Sequence, residues 1–259
     1  MEKIAVISDI HGNLAALEAV LADIAERGVQ RIVCLGDVVG YGPEPKECLD
    51  TVAERCELTL MGNHDFAVLY EPDNFNLGAE NACYWTRQVL EDEPDVAVRN
   101  RRWDFLGNLP ASRVLGPETS PVGEIMLVHG SPRRPVNEYI FPDDIYNYPG
   151  KLQGCFERFN NVCLIGHSHV PGVFLPAPDY YSPEEFGGLY EVDPGSKTLI
   201  NVGSVGQPRD RDTRASYVIL EERRVRFLRV AYDVEETISK VYATAALDDY
   251  LGNRLREGR

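Results

Sequence analysis

Five histidines are the residues of this sequence best suited to chemistry, and each stands beside Gly, Asp, Asn or Ser. They are His11, His64, His129, His167 and His169. Carboxylate and amide side chains accompany them in Asp9-Ile10-His11, in Gly36-Asp37 and in Gly62-Asn63-His64-Asp65. Mixed imidazole and oxygen donors suit Zn, Mn, Fe or Co rather than Ca. These residue types therefore predict a site for divalent transition-metal ions.

Each of these segments comes directly after a short apolar run that predicts a buried strand. The runs cover residues 3–8, 31–35, 57–61, 124–128 and 162–165. In an open α/β sheet, ligands bind at the carboxyl ends of the strands, so the segments are expected along one edge. Taken singly, each motif could be an ordinary turn, but no histidine falls elsewhere. The donors are sufficient for two ions that share a carboxylate, an arrangement that promotes phosphoryl transfer when the ions are about 3.5–4 Å apart.

The elements that position these residues follow from the hydrophobic spacing. A helix is predicted after the first strand, with Asn13 as its N-cap and Gly28 at its end. Strand, helix, strand, helix, strand predicts a parallel sheet with right-handed crossovers. Other helices are predicted at 45–54, 79–90, 98–109 and 234–247, antiparallel strands at 173–175, 198–202, 216–220 and 224–230, and a long ordered loop at 132–150.

Composition limits the class of protein. The chain has 259 residues, of which 44% are hydrophobic, with 41 acidic and 26 basic residues and a formal net charge of −15. Such a surface disfavours bulk binding of nucleic acid and anionic membranes, so an anionic substrate needs a local positive charge such as a metal. We find no export signal and no membrane-spanning run, and six cysteines without a C-x-x-C pair predict buried thiols in a cytoplasmic protein. One domain is predicted over 1–259, with a helical insertion at 66–122.

The order of the motifs resembles the calcineurin-like metallophosphoesterase superfamily, and in particular its small bacterial phosphodiesterases. The motifs are Asp9-Ile10-His11, Gly36-Asp37-Val38-Val39-Gly40, Gly62-Asn63-His64-Asp65, His129-Gly130 and Gly166-His167-Ser168-His169. The resemblance implies an α/β (α+β) fold, a four-layer αββα sandwich.

The resemblance also implies a role for each residue. A first metal would be held by Asp9, His11, Asp37 and His169, and a second by Asp37, Asn63, His129 and His167. A hydroxide bridging the ions would attack phosphorus, with Asp37 and His11 in the catalytic centre. His64 would contact the phosphate and protonate the leaving oxygen. The ions would be Mn, Fe, Zn, Co or Ni, with Mn expected, and Asp65 would orient its neighbours.

Departures from the phosphoprotein phosphatases point to the substrate. Gly40, Tyr41 and Met61 stand where those enzymes carry an Asp and two phosphate-binding arginines. Because bidentate arginines recognise a phosphomonoester dianion well, their loss favours phosphodiesters, including nucleotides. The candidate substrate contacts are Asn63, Arg133, Arg134 and Arg209.

Alternatives stay open at this stage. A phosphomonoesterase acting on small molecules or phosphoproteins, or a diadenosine polyphosphate hydrolase, would use the same site. A non-catalytic metal-bound scaffold is disfavoured because every ligand position and His64 are present. The expected partner is a phosphorylated small molecule, with no membrane partner, and the oligomeric state is not predicted.

Two further segments have two interpretations each. Residues 201–209 resemble the Asn-x-Gly-Ser loop of the same branch, and they either line the site or form an ordinary Gly-rich turn. Aromatic residues crowd the 132–150 segment and either stack a base at a rim or cover a core, and the core is favoured. They are Tyr139, Phe141, Tyr146 and Tyr148.

Overall fold

The structure is a computed structural model that describes residues 2–259. Within those residues the strands, in chain order, are β1 Ile4–Ile7, β2 Arg31–Cys34, β3 Leu58–Thr59, β4 Ser112–Leu115, β5 Ile125–Val128, β6 Val162–Ile165, β7 Gly172–Leu175, β8 Asp179–Tyr181, β9 Leu189–Glu191, β10 Thr198–Asn201, β11 Ala215–Glu221 and β12 Arg224–Val230. The helices are α1 Leu14–Glu26, α2 Pro45–Arg55, α3 Asn63–Leu69, α4 Leu77–Glu91, α5 Val96–Gly107, α6 Asp144–Asn147, α7 Pro149–Phe156, α8 Val234–Ala243 and α9 Asp249–Asn253. Short 3₁₀ turns cover Pro183–Phe186 and Arg254–Glu257.

The strands form two mixed sheets of six strands each. The first has the order β3-β2-β1-β11-β12-β9, and the second has the order β4-β5-β6-β10-β7-β8. The strands β1, β2 and β3 run parallel, as the strand-helix alternation predicts, and so do β5, β6 and β10. The remaining pairs are antiparallel, including β1 with β11.

Alternation along β1 shows how the layers assemble. Ile4 and Val6 pack into the core between the two sheets, whereas Ala5 and Ile7 pack into the core beneath α1 and α2. This is the period of two that a strand buried on both faces requires. On the far side, α7 packs on the outer face of the second sheet through Leu152. The layers therefore run helices, sheet, sheet, helices, and the predicted αββα sandwich is confirmed.

Local signals set the helix that follows β1. The side chain of Asn13 accepts a hydrogen bond from the N–H of Ala16 at 3.1 Å, which confirms the predicted N-cap. Leu17, Val20 and Ile24 are buried along one face of α1. The helix ends at Glu26, two residues before Gly28, whose φ of 69° lies in the left-handed region.

Some elements differ from the prediction. The segment 132–150 is not all loop, because α6 lies within it and α7 begins at Pro149. The closing helix ends at Ala243 rather than at 247, since Thr244 is extended and Asp248 caps the separate α9. The prediction also missed β4, β8 and β9, which have few buried apolar residues and so carry a weak hydrophobic pattern. All three lie at sheet edges.

Three further observations complete the fold. No helix within residues 2–259 combines the length and the apolar character that crossing a membrane requires. The 66–122 segment contributes α4, α5 and the edge strand β4, and the boundaries of the insertion and of the single domain stay predictions. All six cysteines are free, and five are buried, as predicted.

Candidate metal centre

The predicted donors meet at the place where the two sheets face each other. Asp9 and His11 follow β1, and Asp37 follows β2, all in the first sheet. His129 follows β5, and His167 and His169 follow β6, in the second sheet. The expectation of one sheet edge is therefore corrected, because the edges of two stacked sheets supply the donors. Every predicted donor is buried, including Asn63 at the start of α3.

The first donor cluster consists of Asp9, His11 and His169. The Nε2 of His169 lies 3.1 Å from Oδ1 of Asp9 and 3.2 Å from Nε2 of His11. Donors bound about 2.1 Å from one ion are separated from each other by roughly 3 to 3.5 Å. The spacing in this cluster therefore fits a common ion.

The second donor cluster consists of Asp37, His129 and His167, with Asn63 beside it. The Nε2 of His129 lies 3.2 Å from Nδ1 of His167, 3.2 Å from Oδ1 of Asn63 and 3.3 Å from Oδ2 of Asp37. The same Oδ2 is 3.6 Å from Nε2 of His11 in the first cluster. Asp37 thus lies between the clusters, where a carboxylate shared by two ions would have to be.

Backbone carbonyls fix the orientation of three imidazoles. The Nδ1 of His11 faces the carbonyl oxygen of Val39 at 3.2 Å, and the Nδ1 of His129 faces that of Leu35 at 3.2 Å. The Nδ1 of His169 lies 2.6 Å from the carbonyl oxygen of Gln207. Because a carbonyl only accepts, each Nδ1 carries a proton, and each Nε2 faces the clusters.

Backbone strain is concentrated at the donors. Five of them have φ between 52° and 65°, a region that non-glycine residues rarely occupy. They are Asp9, His11, Asp37, His167 and His169. Strained conformations of this kind persist at functional sites because the surrounding structure holds them. The spacing and the imidazole orientation therefore fit the donor set to a metal site.

Burial and charge set the ionisation of the donors. Burial lowers the pKa of His11 well below its usual value, and it also lowers the pKa of His167 and His169. Burial opposes charge on His129 too, but the Asp37 and Asp9 carboxylates outweigh it and raise the pKa of His129 to about 9. For Asp37, burial favours the neutral acid, and the facing imidazoles more than offset it and lower the pKa. The clusters therefore present carboxylates and mostly neutral imidazoles, the forms that bind metals.

His64 lies beside both clusters and forms a third group of possible ligands with His11 and Asp37. Its ring packs 4.8 Å from the ring of His11, and its Nδ1 lies 3.7 Å from Sγ of Cys83 on α4. A Cβ on Gly40 would lie 2.3 Å from the Nδ1 of His64, so the ring occupies the space where position 40 would carry a side chain. Burial lowers the pKa of His64 to about 4. No motif pointed to Cys83, which is 19 residues away from His64 in the chain.

Asp65 braces the loop that carries Asp37. Its carboxylate accepts hydrogen bonds from the N–H groups of Asp37 at 2.7 Å, Val38 at 3.0 Å, Val39 at 3.3 Å and Gly62 at 3.0 Å. Four donors on one buried carboxylate hold the loop in its strained shape. This is the orienting role that the resemblance implies for Asp65.

The Gly-rich segment 201–209 supports Asp9 from behind. The carbonyl oxygen of Asp9 accepts hydrogen bonds from Oγ of Ser204 at 2.8 Å and from the N–H of Gly206 at 2.9 Å. A Cβ on Gly206 would lie 1.7 Å from the carbonyl oxygen of Ile10, so only glycine fits there. Of the two interpretations, the structure supports a loop built around the site rather than an ordinary turn.

A cavity of about 390 Å³ opens beside His64, Asn63 and His167. Tyr139 lines it and stacks on the ring of His167 at 3.6 Å, and Phe141 stacks on Tyr139 at 5.3 Å. The expectation that the loop aromatics cover a core is wrong, because they are 38% to 80% exposed. They are Tyr139, Phe141, Tyr146 and Tyr148. The segment that carries these aromatic residues lies at the rim of the cavity, and no apolar layer covers them there.

The three predicted arginines lie in different surroundings. Arg134 lines the cavity. Arg133 pairs with Glu138 at 3.4 Å and is not among the described residues that line the cavity. Arg209 lies beside the first cluster, where its N–H donates to the carbonyl of His169 at 3.3 Å, and its guanidinium packs over the ring of Tyr41.

Comparison with known proteins adds a family and two relatives. The family model of calcineurin-like phosphoesterases matches residues 2–171. Uncharacterized protein MJ0912 of Methanocaldococcus jannaschii is 38% identical over 99% of this chain and 98% of its own length. Phosphodiesterase YfcE of Escherichia coli is 32% identical over 79% of this chain and 84% of its own length.

Solved structures agree in fold. A metallophosphoesterase from Sphaerobacter thermophilus superposes with a TM-score of 0.82 at 35% identity, covering 100% of this chain and 99% of that one. Hypothetical protein PH1004 from Pyrococcus horikoshii superposes with a TM-score of 0.75 at 20% identity, with the same coverage.

Proposed function

We propose that this chain, which belongs to the calcineurin-like phosphoesterase family and is a phosphoric ester hydrolase, cleaves phosphodiesters with two divalent transition-metal ions. The observation that carries the proposal is the pair of donor clusters joined by Asp37. Mn²⁺ is the ion we would supply first. The ligands we propose are Asp9, His11, Asp37 and His169 for one ion, and Asp37, Asn63, His129 and His167 for the other.

When bound, two such ions supply Lewis acidity and a nucleophile at neutral pH. The contribution of the chain is to hold donors at fixed positions in a buried site. Asp37 orients α3 as well, because its Oδ1 accepts the N–H of His64 at 2.8 Å. One carboxylate would therefore hold the ions and also fixes the start of the helix that carries His64.

His64 is proposed to contact the phosphate. With a pKa of about 4 its imidazole is neutral at pH 7 and offers a hydrogen bond to a phosphoryl oxygen. An anionic phosphate beside the ring raises the pKa of the imidazole, so the ring can take up the proton that the leaving oxygen needs. Asn63, beside it on α3, presents its amide to the second donor cluster and lines the same cavity.

The preference for diesters is supported by what surrounds the cavity. Tyr139 and Phe66 offer aromatic faces to an organic group on the phosphate. A diester carries two such groups and only one negative charge, which suits a cavity that also contains the acidic side chains of Glu71 and Asp73. The Escherichia coli relative is a phosphodiesterase, which supports the same choice.

A cytoplasmic location stays a prediction from sequence.

The test is hydrolysis of bis-p-nitrophenyl phosphate by metal-stripped protein before and after addition of Mn²⁺. We expect no turnover without metal, turnover with Mn²⁺, and a loss of about 10² to 10⁴ in the His64→Ala variant at unchanged metal content. Cys56→Ala is a control, since Cys56 lies outside the site. Failure of the fully metallated protein to cleave the diester would contradict the proposal.

A further inference from the structure

The imidazole of His64 is held between three rings and opens to the cavity at one nitrogen. The rings of Tyr41, Phe75 and His11 pack around it, with ring centres 4.3 Å, 4.7 Å and 4.8 Å from its own. His64 lines the cavity beside the donor clusters. Within residues 2–259 its Nε2 has no hydrogen-bond partner and is not among the fully enclosed polar atoms. Nε2 is therefore the nitrogen that a substrate in the cavity can reach.

The other ring nitrogen, Nδ1, faces a thiol on helix α4. Sγ of Cys83 lies 3.7 Å from it and is its only hydrogen-bond partner in the part of the chain that the structure describes. No side chain at position 40 could take this place, because a Cβ on Gly40 would lie 2.3 Å from the same nitrogen. The hydrogen bonding of Nδ1 therefore depends on Cys83.

The thiol is the donor in this contact. Cys83 is buried, and burial raises the pKa of its thiol to about 12, so the sulfur keeps its proton at neutral pH. An unprotonated imidazole nitrogen accepts hydrogen bonds readily, whereas a thiol sulfur is a weak acceptor. The thiol has no other hydrogen-bond partner within residues 2–259. A neutral imidazole that accepts at Nδ1 carries its proton at Nε2.

We propose that Cys83 is a positioning residue that holds His64 in the tautomer protonated at Nε2, so that this N–H is ready to donate to a phosphoryl oxygen of the substrate. The inference rests on the proposed phosphoesterase site and deepens it, since it names the group that prepares His64 before substrate binds. It also decides between two roles for His64. A ring protonated at Nε2 has no lone pair there for a metal, so His64 is a donor to the phosphate and not a ligand through that nitrogen.

The first measurement is spectroscopic and does not depend on turnover. In protein with ¹⁵N-labelled histidine, long-range ¹H–¹⁵N correlations distinguish a protonated ring nitrogen from an unprotonated one, and the His64→Gln variant identifies the signals of His64. We would record metal-free protein and Zn²⁺-loaded protein at neutral pH, because Zn²⁺ has a filled d shell and does not broaden the signals. We expect a protonated Nε2 and an unprotonated Nδ1 in both states.

Variants at position 83 test the contact itself. Cys83→Ala leaves Nδ1 without a donor, so we expect a mixture of the two tautomers. In Mn²⁺-loaded protein, kcat for bis-p-nitrophenyl phosphate should fall about five- to tenfold, the effect of one lost hydrogen bond, while KM changes by less than about threefold. Cys83→Ser keeps a donor on a shorter bond and should recover part of both effects.

The matched control is Thr86→Val, about one turn further along α4. Thr86 is buried, and its Oγ1 has no hydrogen-bond partner among the described residues, so the substitution keeps the shape and removes no hydrogen bond. It should change neither the tautomer of His64 nor kcat. Metal content is measured in every variant and should equal that of the parent protein.

The outcomes separate this inference from the proposed function. The inference is overturned if Nδ1 of His64 carries the proton in the parent protein, or if Cys83→Ala leaves the tautomer unchanged, whether or not activity falls. A changed tautomer with unchanged kcat would also overturn it, because the orientation of the proton would then not matter to the reaction. A parent protein that shows the expected tautomer but cleaves no diester would instead overturn the proposed function.

Discussion

The donor clusters and the cavity beside them are built in opposite ways. The donors are buried, follow strand ends directly, and are held by backbone partners such as the carbonyl of Leu35 for His129. The cavity wall is partly exposed and comes from segments remote from one another in the chain, with Phe66 on α3 and Tyr139 on a loop. From this difference we infer that the chemistry depends on rigid geometry, whereas substrate choice depends on replaceable surface.

Substitution of Asp37 should have the largest effect, and it tests the buried donor clusters. Asp37→Asn keeps the shape and the oxygen that accepts the N–H of His64, but removes the charge between the clusters. We expect diester turnover to fall by about a thousandfold, because metal binding and charge stabilisation fail together. Metal content by mass spectrometry and turnover at saturating Mn²⁺ check this. Normal metal content with normal turnover would show that Asp37 is not shared by two ions.

Removal of metal should have the second largest effect, which is a lower melting temperature. The donors adopt strained φ values and bring two carboxylates into a buried space, and a bound cation compensates both costs. At a hundred to a thousand times the dissociation constant, bound metal stabilises by about 3 to 4 kcal/mol. Chelation should therefore lower the melting temperature by roughly 5 to 15 °C. Calorimetry with and without Mn²⁺ measures the shift in melting temperature. An unchanged melting temperature would show that bound metal does not compensate the cost of the strained backbone.

A smaller effect should follow from the brace beneath the loop. Asp65→Asn keeps the size of the side chain but replaces one of its two accepting oxygens with an NH₂ group, so either the N–H groups of Asp37 and Gly62 or those of Val38 and Val39 lose their acceptor. Partners behind metal ligands typically contribute ten- to a hundredfold in metal affinity. We expect a loss of that size in Mn²⁺ titrations. Glu57→Gln, at the surface, is the control and should leave the affinity unchanged.

The smallest predicted effect concerns the partly exposed wall of the cavity. Tyr139→Leu removes an aromatic face at the cavity, and we expect KM for bis-p-nitrophenyl phosphate to rise about five- to tenfold with little change in kcat. Tyr146→Leu, on the same segment and 80% exposed, should have no effect. A fall in kcat with loss of metal would mean instead that Tyr139 acts through His167, on which it stacks.

The same contrast explains which parts of the molecule can be predicted from sequence. Strand β1, the cap at Asn13 and the donors after each strand depend on residues within a few positions of one another, and these predictions agree with the structure. Arg254 meets Tyr41 across more than two hundred residues, and Cys83 reaches His64 only through the packing of α4 on α3. Neither contact produces a pattern in the local sequence. The α7 helix was missed for a different reason, since its Pro and Gly residues suggest a loop.

The pairing of β1 with β11 has a consequence for biosynthesis. The early strand β2 pairs with one edge of β1, but Ile4 also lies opposite Leu220, and the loop that supports Asp9 begins near residue 201, so the other partners of β1 are made late in translation. Until then the nascent chain holds Asp9 and His11 without the His167 and His169 segment. Such long sequence separation slows folding, and it leaves the proposed donor set incomplete until late in translation.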